Sequence, residues 1–177
     1  VPVSICRQCH KFAYKLYGLA GVNVIWLSEF LENENCTGFK GREGILEKKF
    51  TDKLPALEIG QLRNFKYRGF SLGEMVRPSV GHFSRNEDIE QAAKEDHKVK
   101  EIYENFLVNS IGMTDLVEIL LDRMNPDLIM MINGRFAAEA VMFNWARKKN
   151  IRTVIYESGI LPDSMSFLHN QHIDYSK

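Results

Sequence analysis

The span Asn125–Gly159 constrains the fold most, because it reads as a strand, a turn, a helix and a second strand in unbroken succession. Pro126-Asp127-Leu128-Ile129-Met130-Met131-Ile132 is a short apolar run opened by a proline, the pattern of a strand buried on both faces. It stops at Asn133-Gly134-Arg135. Phe136 to Lys149 then carries apolar residues at helical spacing: Phe136, Ala140 and Phe143, with Val141 and Trp145 beside them. Arg147, Lys148 and Lys149 fall in the last turn, where cations suit the helix dipole. A second apolar run, Thr153-Val154-Ile155-Tyr156, ends at Glu157-Ser158-Gly159. Two strands joined by one helix over so short a span are expected to pair in parallel, with a right-handed crossover. Their carboxyl ends then share one edge of the sheet, which is where open α/β folds bind ligands.

That geometry brings Asn133, Gly134 and Arg135 towards Glu157, Ser158 and Gly159. Asn133 suits a helix N-cap, and Gly134 lets the backbone turn sharply or approach a ligand closely. Arg135 beside a helix N-terminus makes a corner that favours anions. Glu157 can accept hydrogen bonds from sugar hydroxyls or act as a general base. The plainer reading is that Asn-Gly is a turn, Arg135 pairs with Glu157, and Gly159 ends a strand. The coincidence of two polar clusters on one edge favours a ligand site.

A chain of 177 residues is long enough for one domain with a proper core and short for two. Its 23 basic and 23 acidic residues cancel, so the total charge calls for neither nucleic acid nor an anionic membrane. The distribution is uneven: 13 basic and 8 acidic residues lie up to Arg85, which gives the first half a mildly basic character. No apolar run approaches the roughly 20 residues needed to span a bilayer. Three cysteines make a poor disulfide framework, and point to a reducing cytoplasm.

Elsewhere, Ser4 to Gly21 has helical spacing, with Ile5, Cys9, Phe12, Leu16 and Leu19 as an apolar stripe and Gly18 or Gly21 as its end. Val22 to Leu27 reads as a strand, and Glu29 to Gly44 as a loop. Ile45 to Arg85 suggests a short strand, a loop and a short helix. Asn86 to Met124 reads as a helical hairpin or one long helix interrupted at Gly112, capped by Ser84 or Asn86. The expected fold is a single α/β domain over 1–177, a Rossmann-like three-layer arrangement with a mostly parallel sheet and flanking helices.

Cys6-Arg7-Gln8-Cys9-His10 formally matches the attachment pattern of c-type haem, but no export signal accompanies it. Cys6, Cys9, His10 and Cys36 would make a four-ligand zinc set, although Cys36 has no partner nearby in sequence. A redox pair at a helix N-terminus is a further alternative, and two cysteines on the first turn of a packed helix is the plain one. His82 sits in Ser79-Val80-Gly81-His82-Phe83-Ser84-Arg85, read as a loop, where it can serve as a base or a sugar contact, with a plain surface histidine as the favoured alternative. His169 and His172 have the spacing of one helix face, with no carboxylates to complete a metal site. Arg63, Lys66 and Arg68, interleaved with Phe65 and Tyr67, fit a solvated strand face better than a nucleic-acid contact. There is no Gly-x-Gly-x-x-Gly, no Gly-x-x-x-x-Gly-Lys-Ser/Thr and no Gly-x-Ser-x-Gly.

Ile132-Asn133-Gly134-Arg135-Phe136, the helix after it, the turn at Asn150-Ile151, and Val154-Ile155-Tyr156-Glu157-Ser158-Gly159 together resemble the amino-terminal half of capsule and surface-polysaccharide glycosyltransferases with two Rossmann domains (GT-B type). The opening Cys6-x-x-Cys9 with Tyr14, Tyr17 and Gly18-Leu19-Ala20-Gly21 is similar to the start of several such chains. The resemblance implies an acceptor-side domain that faces a sugar or glycan acceptor. The nucleotide-sugar donor would bind a second, C-terminal Rossmann domain lying beyond this chain, so this chain by itself would hold no cofactor and carry out no turnover. It implies a cytoplasmic protein with room for peripheral membrane association, no nucleic acid and no metal. Glu157 would be the base or the hydroxyl-orienting residue, with His82 as a second candidate base. Asn133, Gly134, Arg135, Ser158 and Gly159 would contact substrate. The rival readings are a non-catalytic α/β ligand-binding or regulatory domain, and a metal or redox protein centred on Cys6 and Cys9.

Overall fold

The computed structural model describes residues 11–12, 15–22, 53–159, 161 and 163–170. The chain divides into two compact units, Val1–Ile45 and Leu46–Lys177. In the first, residues 15–19 are helical, and the expected glycine stop is Gly21 rather than Gly18. Gly21 adopts φ +71°, Val22 N–H reaches the Tyr17 carbonyl at 2.9 Å and Gly21 N–H the Gly18 carbonyl at 3.1 Å. That pair of bonds is a Schellman cap. Of the strand expected at Val22–Leu27 only Val22, which closes the cap, is among the described residues; 23–27 and the cysteines Cys6, Cys9 and Cys36 fall outside them.

The described part of the second unit opens with a 3₁₀ turn at Leu54–Ala56, with Pro55 in its first turn, followed by α1 (Ile59–Arg63). Gln61 Oε1 accepts from Glu58 N–H at 2.8 Å, so the side chain occupies a donor that the helix start would otherwise leave unmet. Tyr67 and Phe70 exchange two backbone bonds around Arg68 (φ +50°) and Gly69 (φ +84°), the geometry of a type I′ turn. Ile45–Arg85 thus contains no extended strand among its described residues. It continues as α2 (Leu72–Ser84), on which Leu72, Val76 and Val80 recur at helical spacing and are fully buried. His82 therefore lies in the last turn of a helix, not in a loop.

α3 (Ile89–Glu95) and α4 (His97–Met124) meet at Asp96, whose extended backbone ends one helix while its carboxylate caps the other through Lys98 N–H. The break falls there, and α4 runs through a buried Gly112 without interruption. The unit then forms β1 (Leu128–Ile132), α5 (Ala137–Lys148), β2 (Arg152–Ser158) and β3 (Met165–His169). Asn150 (φ +56°) closes α5, with Ile151 N–H bonded to the Ala146 carbonyl at 2.9 Å.

The core lies between helices. Leu72, Val76 and Val80 of α2, Tyr103, Leu107, Ile111 and Val117 of α4, and Val141 and Trp145 of α5 form one cluster. The Trp145 indole donates to the Thr114 carbonyl at 2.8 Å, and the Tyr103 hydroxyl to the Gly73 carbonyl at 2.8 Å, so the large polar aromatics are satisfied inside it. Burial pushes the Tyr103 hydroxyl well above the usual tyrosine range. Gly73 is where α2 crosses the end of α1: an added Cβ would lie 2.0 Å from the Arg63 carbonyl oxygen.

The sheet departs from the expected one. It has three strands in the order β1-β2-β3, with β1 and β2 parallel and β2 and β3 antiparallel. The Rossmann-like, mostly parallel three-layer fold is therefore not what the described residues form. The single helical crossover yields only one parallel pair, β3 returns through a hairpin, and the described residues before α4 form helices and turns with no named strand. Met131, Phe143 and Ile155 pack between α5 and the sheet, while Leu128, Met130, Ile132, Met165 and Phe167 are about half exposed on the other face. β1 is buried on one face, not two. His169 ends β3 rather than lying on a helix, and His172 is outside the described residues. Among the described residues, no helix is long and apolar enough to cross a membrane.

Candidate functional site

β1 and β2 pair with Ile132 opposite Tyr156, and Asn133 N–H carries the ladder one step further by donating to the Tyr156 carbonyl at 2.9 Å. The chain then turns through two left-handed residues, Asn133 (φ +59°) and Gly134 (φ +74°). Asn133 tolerates this conformation because its side chain closes the turn: its Oδ1 accepts from Arg135 N–H at 3.0 Å. Its Nδ2 donates to Glu157 Oε2 at 2.6 Å. The two strand ends are therefore joined by a hydrogen bond to a carboxylate, which is stronger than a neutral one.

Asn133 is consequently not the cap of α5. Phe136 holds that position, and the first helical N–H, on Ala137, donates to Ser79 Oγ of α2 at 2.8 Å. Ser79 is buried, so this bond docks the start of α5 against the middle of α2. The site depends on that docking, because it sets where Arg135 emerges. Gly134 is required twice over: its φ is positive, and a Cβ would stand 2.4 Å from Ile155 Cδ1.

Arg135 lines an open groove of about 980 Å³ along the second half of α2, with Arg77, His82, Phe83, Arg85 and Asn86. The His82 ring rests against Phe136 at 5.1 Å between centroids. His82 and Arg135 thus share one groove, while Asn133 and Glu157 share one hydrogen bond, and the loop Asn133–Arg135 connects the two places. Ser158 is exposed at the strand tip, with its N–H 3.3 Å from Glu157 Oε1. Gly159 has a structural job: its N–H bonds to the Ser164 carbonyl at 2.8 Å, and a Cβ there would meet Ser164 Oγ at 2.1 Å. It closes the β2–β3 hairpin.

The residues Arg77, Ser79, Phe83 and Arg85 were not singled out from sequence. The available signal was the spacing of Glu74, Arg77 and Gly81, which places them along one side of a helix once 72–84 is read as helical, with Arg85 ending it. The two arginines near Tyr67 are matched by acids. Arg63 bonds to Glu74 at 2.6 Å and Glu90 at 2.9 Å, and Arg68 pairs with Asp115 at 2.5 Å and Glu118 at 2.6 Å. Among the described residues no group of three or more His, Cys, Asp or Glu could hold a metal ion. No family model, no curated protein and no solved structure matches the chain.

Proposed function

We propose that this chain is the acceptor-side domain of a nucleotide-sugar-dependent glycosyltransferase of surface-polysaccharide synthesis, working in the cytoplasm with a donor-binding domain that this chain does not supply. The observation that carries the reading is the Asn133–Glu157 bond at the shared carboxyl edge of β1 and β2, two residues from Arg135 in its groove. The reading rests on this strand-end cluster and not on a three-layer fold.

In this mechanism Asn133 holds Glu157 Oε2, and the other carboxylate oxygen takes the proton of the acceptor hydroxyl as its oxygen attacks the anomeric carbon. The bond from that carbon to the nucleotide phosphate breaks, and the donor domain stabilises the leaving charge. His82, facing the groove, is the second candidate base.

The test is Glu157→Gln in the whole protein, with transfer assayed over a panel of nucleotide sugars and folding followed by circular dichroism. The amide still accepts from Asn133 but takes no proton, so transfer falls about 100-fold or more while the fold persists. Undiminished transfer in the folded variant would refute the role of Glu157. The non-catalytic reading draws on the same hydrogen bond, which commits one carboxylate oxygen to joining the strands. It predicts sugar binding without transfer in the wild type.

A further inference from the structure

We propose that the groove along the second half of α2 is a phosphate-binding subsite, so that the acceptor is a sugar bearing a phosphate group. This rests on the preceding reading, because the loop Asn133–Arg135 links the groove to Glu157. Arg77 lies in the middle of α2 and Arg85 is the left-handed residue that ends it, and Arg135 approaches from the β1–α5 loop to line the same groove. Three guanidinium groups around one concavity suit the planar, bidentate recognition of phosphate.

The charge balance favours an anion. Of the two carboxylates at the rim, Glu74 is held by Arg63 at 2.6 Å, which leaves Glu87. Arg77 Nη2 is 3.9 Å from Glu90 Oε2, a loose pairing, since the other oxygen of Glu90 accepts from Arg63 at 2.9 Å. Arg77 Nε is buried and has no acceptor, and Arg85 makes no ion pair among the described residues. The carboxyl end of α2 opposes an anion with about half a unit charge. Arg77, Arg85 and Arg135 together still outnumber that half charge and Glu87. Phe83 adds a flat apolar surface on the groove, 69 % exposed and braced edge-on by Phe106, against which the C–H face of a sugar ring can lie.

The phosphate chemistry could come from a soluble sugar phosphate or from a lipid-linked one, and two arms separate them. The chain is titrated with glucose 1-phosphate and, separately, with vesicles of phosphatidylcholine containing phosphatidic acid, while the arginine Nε–Hε resonances are followed by NMR. Methyl glucoside and sodium chloride at matched concentration serve as controls. Binding in either arm that shifts Arg77 Nε–Hε, and that weakens at least about 10-fold in Arg77→Gln/Arg85→Gln, supports the subsite, and the arm identifies the source. The single variant Arg85→Gln, at an exposed position, gives an intermediate loss if the double variant fails to fold. No binding in both arms overturns the proposal. So does binding that the variants leave unchanged, or an equal shift with chloride. Transfer that survives Glu157→Gln while phosphate binding stays arginine-dependent would sink the catalytic reading alone. Loss of transfer in Glu157→Gln with no arginine-dependent binding would sink the subsite alone.

Discussion

In the helical layer, Leu72, Val76, Val80, Leu107, Ile111 and Val117 are each at most 1 % exposed; on the sheet, Met130, Ile132 and Phe167 stand 58, 48 and 58 % exposed. Both regions belong to the second unit and share α5, whose Val141 and Trp145 face the helices and whose Phe143 faces the strands. Closure on both sides of α2 and α4 gives the helical layer most of the apolar burial that stabilises the unit. The sheet buries one thin layer, Met131, Phe143 and Ile155. Its contribution is positional: two parallel strands end together and hold Asn133 against Glu157. Stability and site geometry are thus carried by different residues, and substitutions can separate them.

The largest effect is expected where helices touch backbone to backbone. Gly73→Ala places a methyl group 2.0 Å from the Arg63 carbonyl oxygen, an overlap that no side-chain rotation relieves. A loss of about 3 kcal/mol or more in urea unfolding is expected. A loss below about 1 kcal/mol would mean that the α1–α2 crossing yields to an added methyl group. Gly134→Ala comes next. It combines a left-handed backbone with a clash at Ile155 Cδ1, but that atom ends a flexible side chain, so about 1–3 kcal/mol is expected. If its cost matched that of Gly73→Ala, the distinction between a rigid helical layer and a yielding sheet would fail.

Tyr103→Phe tests the helical layer by pH. It removes the bond to the Gly73 carbonyl, worth about 1 kcal/mol. Burial raises the pKa of this hydroxyl in the folded state, so the neutral form is favoured by folding. That contribution is complete below the unfolded value of about 10 and is lost as pH rises above it. The wild type should therefore lose stability above about pH 10 more steeply than the phenylalanine variant, in thermal melts from pH 8 to 11. Parallel curves would show that Tyr103 is not protected from solvent. Met130→Lys is the smallest change, on the exposed sheet face, and should alter stability by no more than about 0.5 kcal/mol. A loss above about 1.5 kcal/mol would reveal that this face is covered.

Some of this organisation was readable in the sequence. Residues 126–159 announce themselves locally, because a proline-led apolar run, a helical stripe with a basic last turn and a second apolar run leave little choice of arrangement. α4 was equally plain from its apolar spacing, although Gly112 drew the break away from Asp96, where a single extended residue caps two helices. α2 was obscured by its own composition: Gly73, Pro78 and Gly81 read as loop residues, while its helix signal is the sparse set Leu72, Val76 and Val80. With α2 unread, His82 was placed in a loop and Arg77 and Arg85 went unnoticed. Leu128, Met130 and Ile132 are as apolar as the residues facing inward, so β1 looked buried on both faces. Pattern alone does not show whether an apolar face is covered. The antiparallel β3 carries no regular alternation, and its pairing depends on the turn closed by Gly159 and Ser164.

The most direct test of the account is a double-mutant cycle between Asn133 and Glu157, read as sugar transfer in the whole protein with folding monitored alongside. If the amide and the carboxylate act as one unit, Asn133→Ala, Glu157→Gln and the double variant lose activity to a similar extent, about 100-fold, and the second substitution adds little to the first. Losses that multiply in the double variant, or a fully active Asn133→Ala, would contradict it.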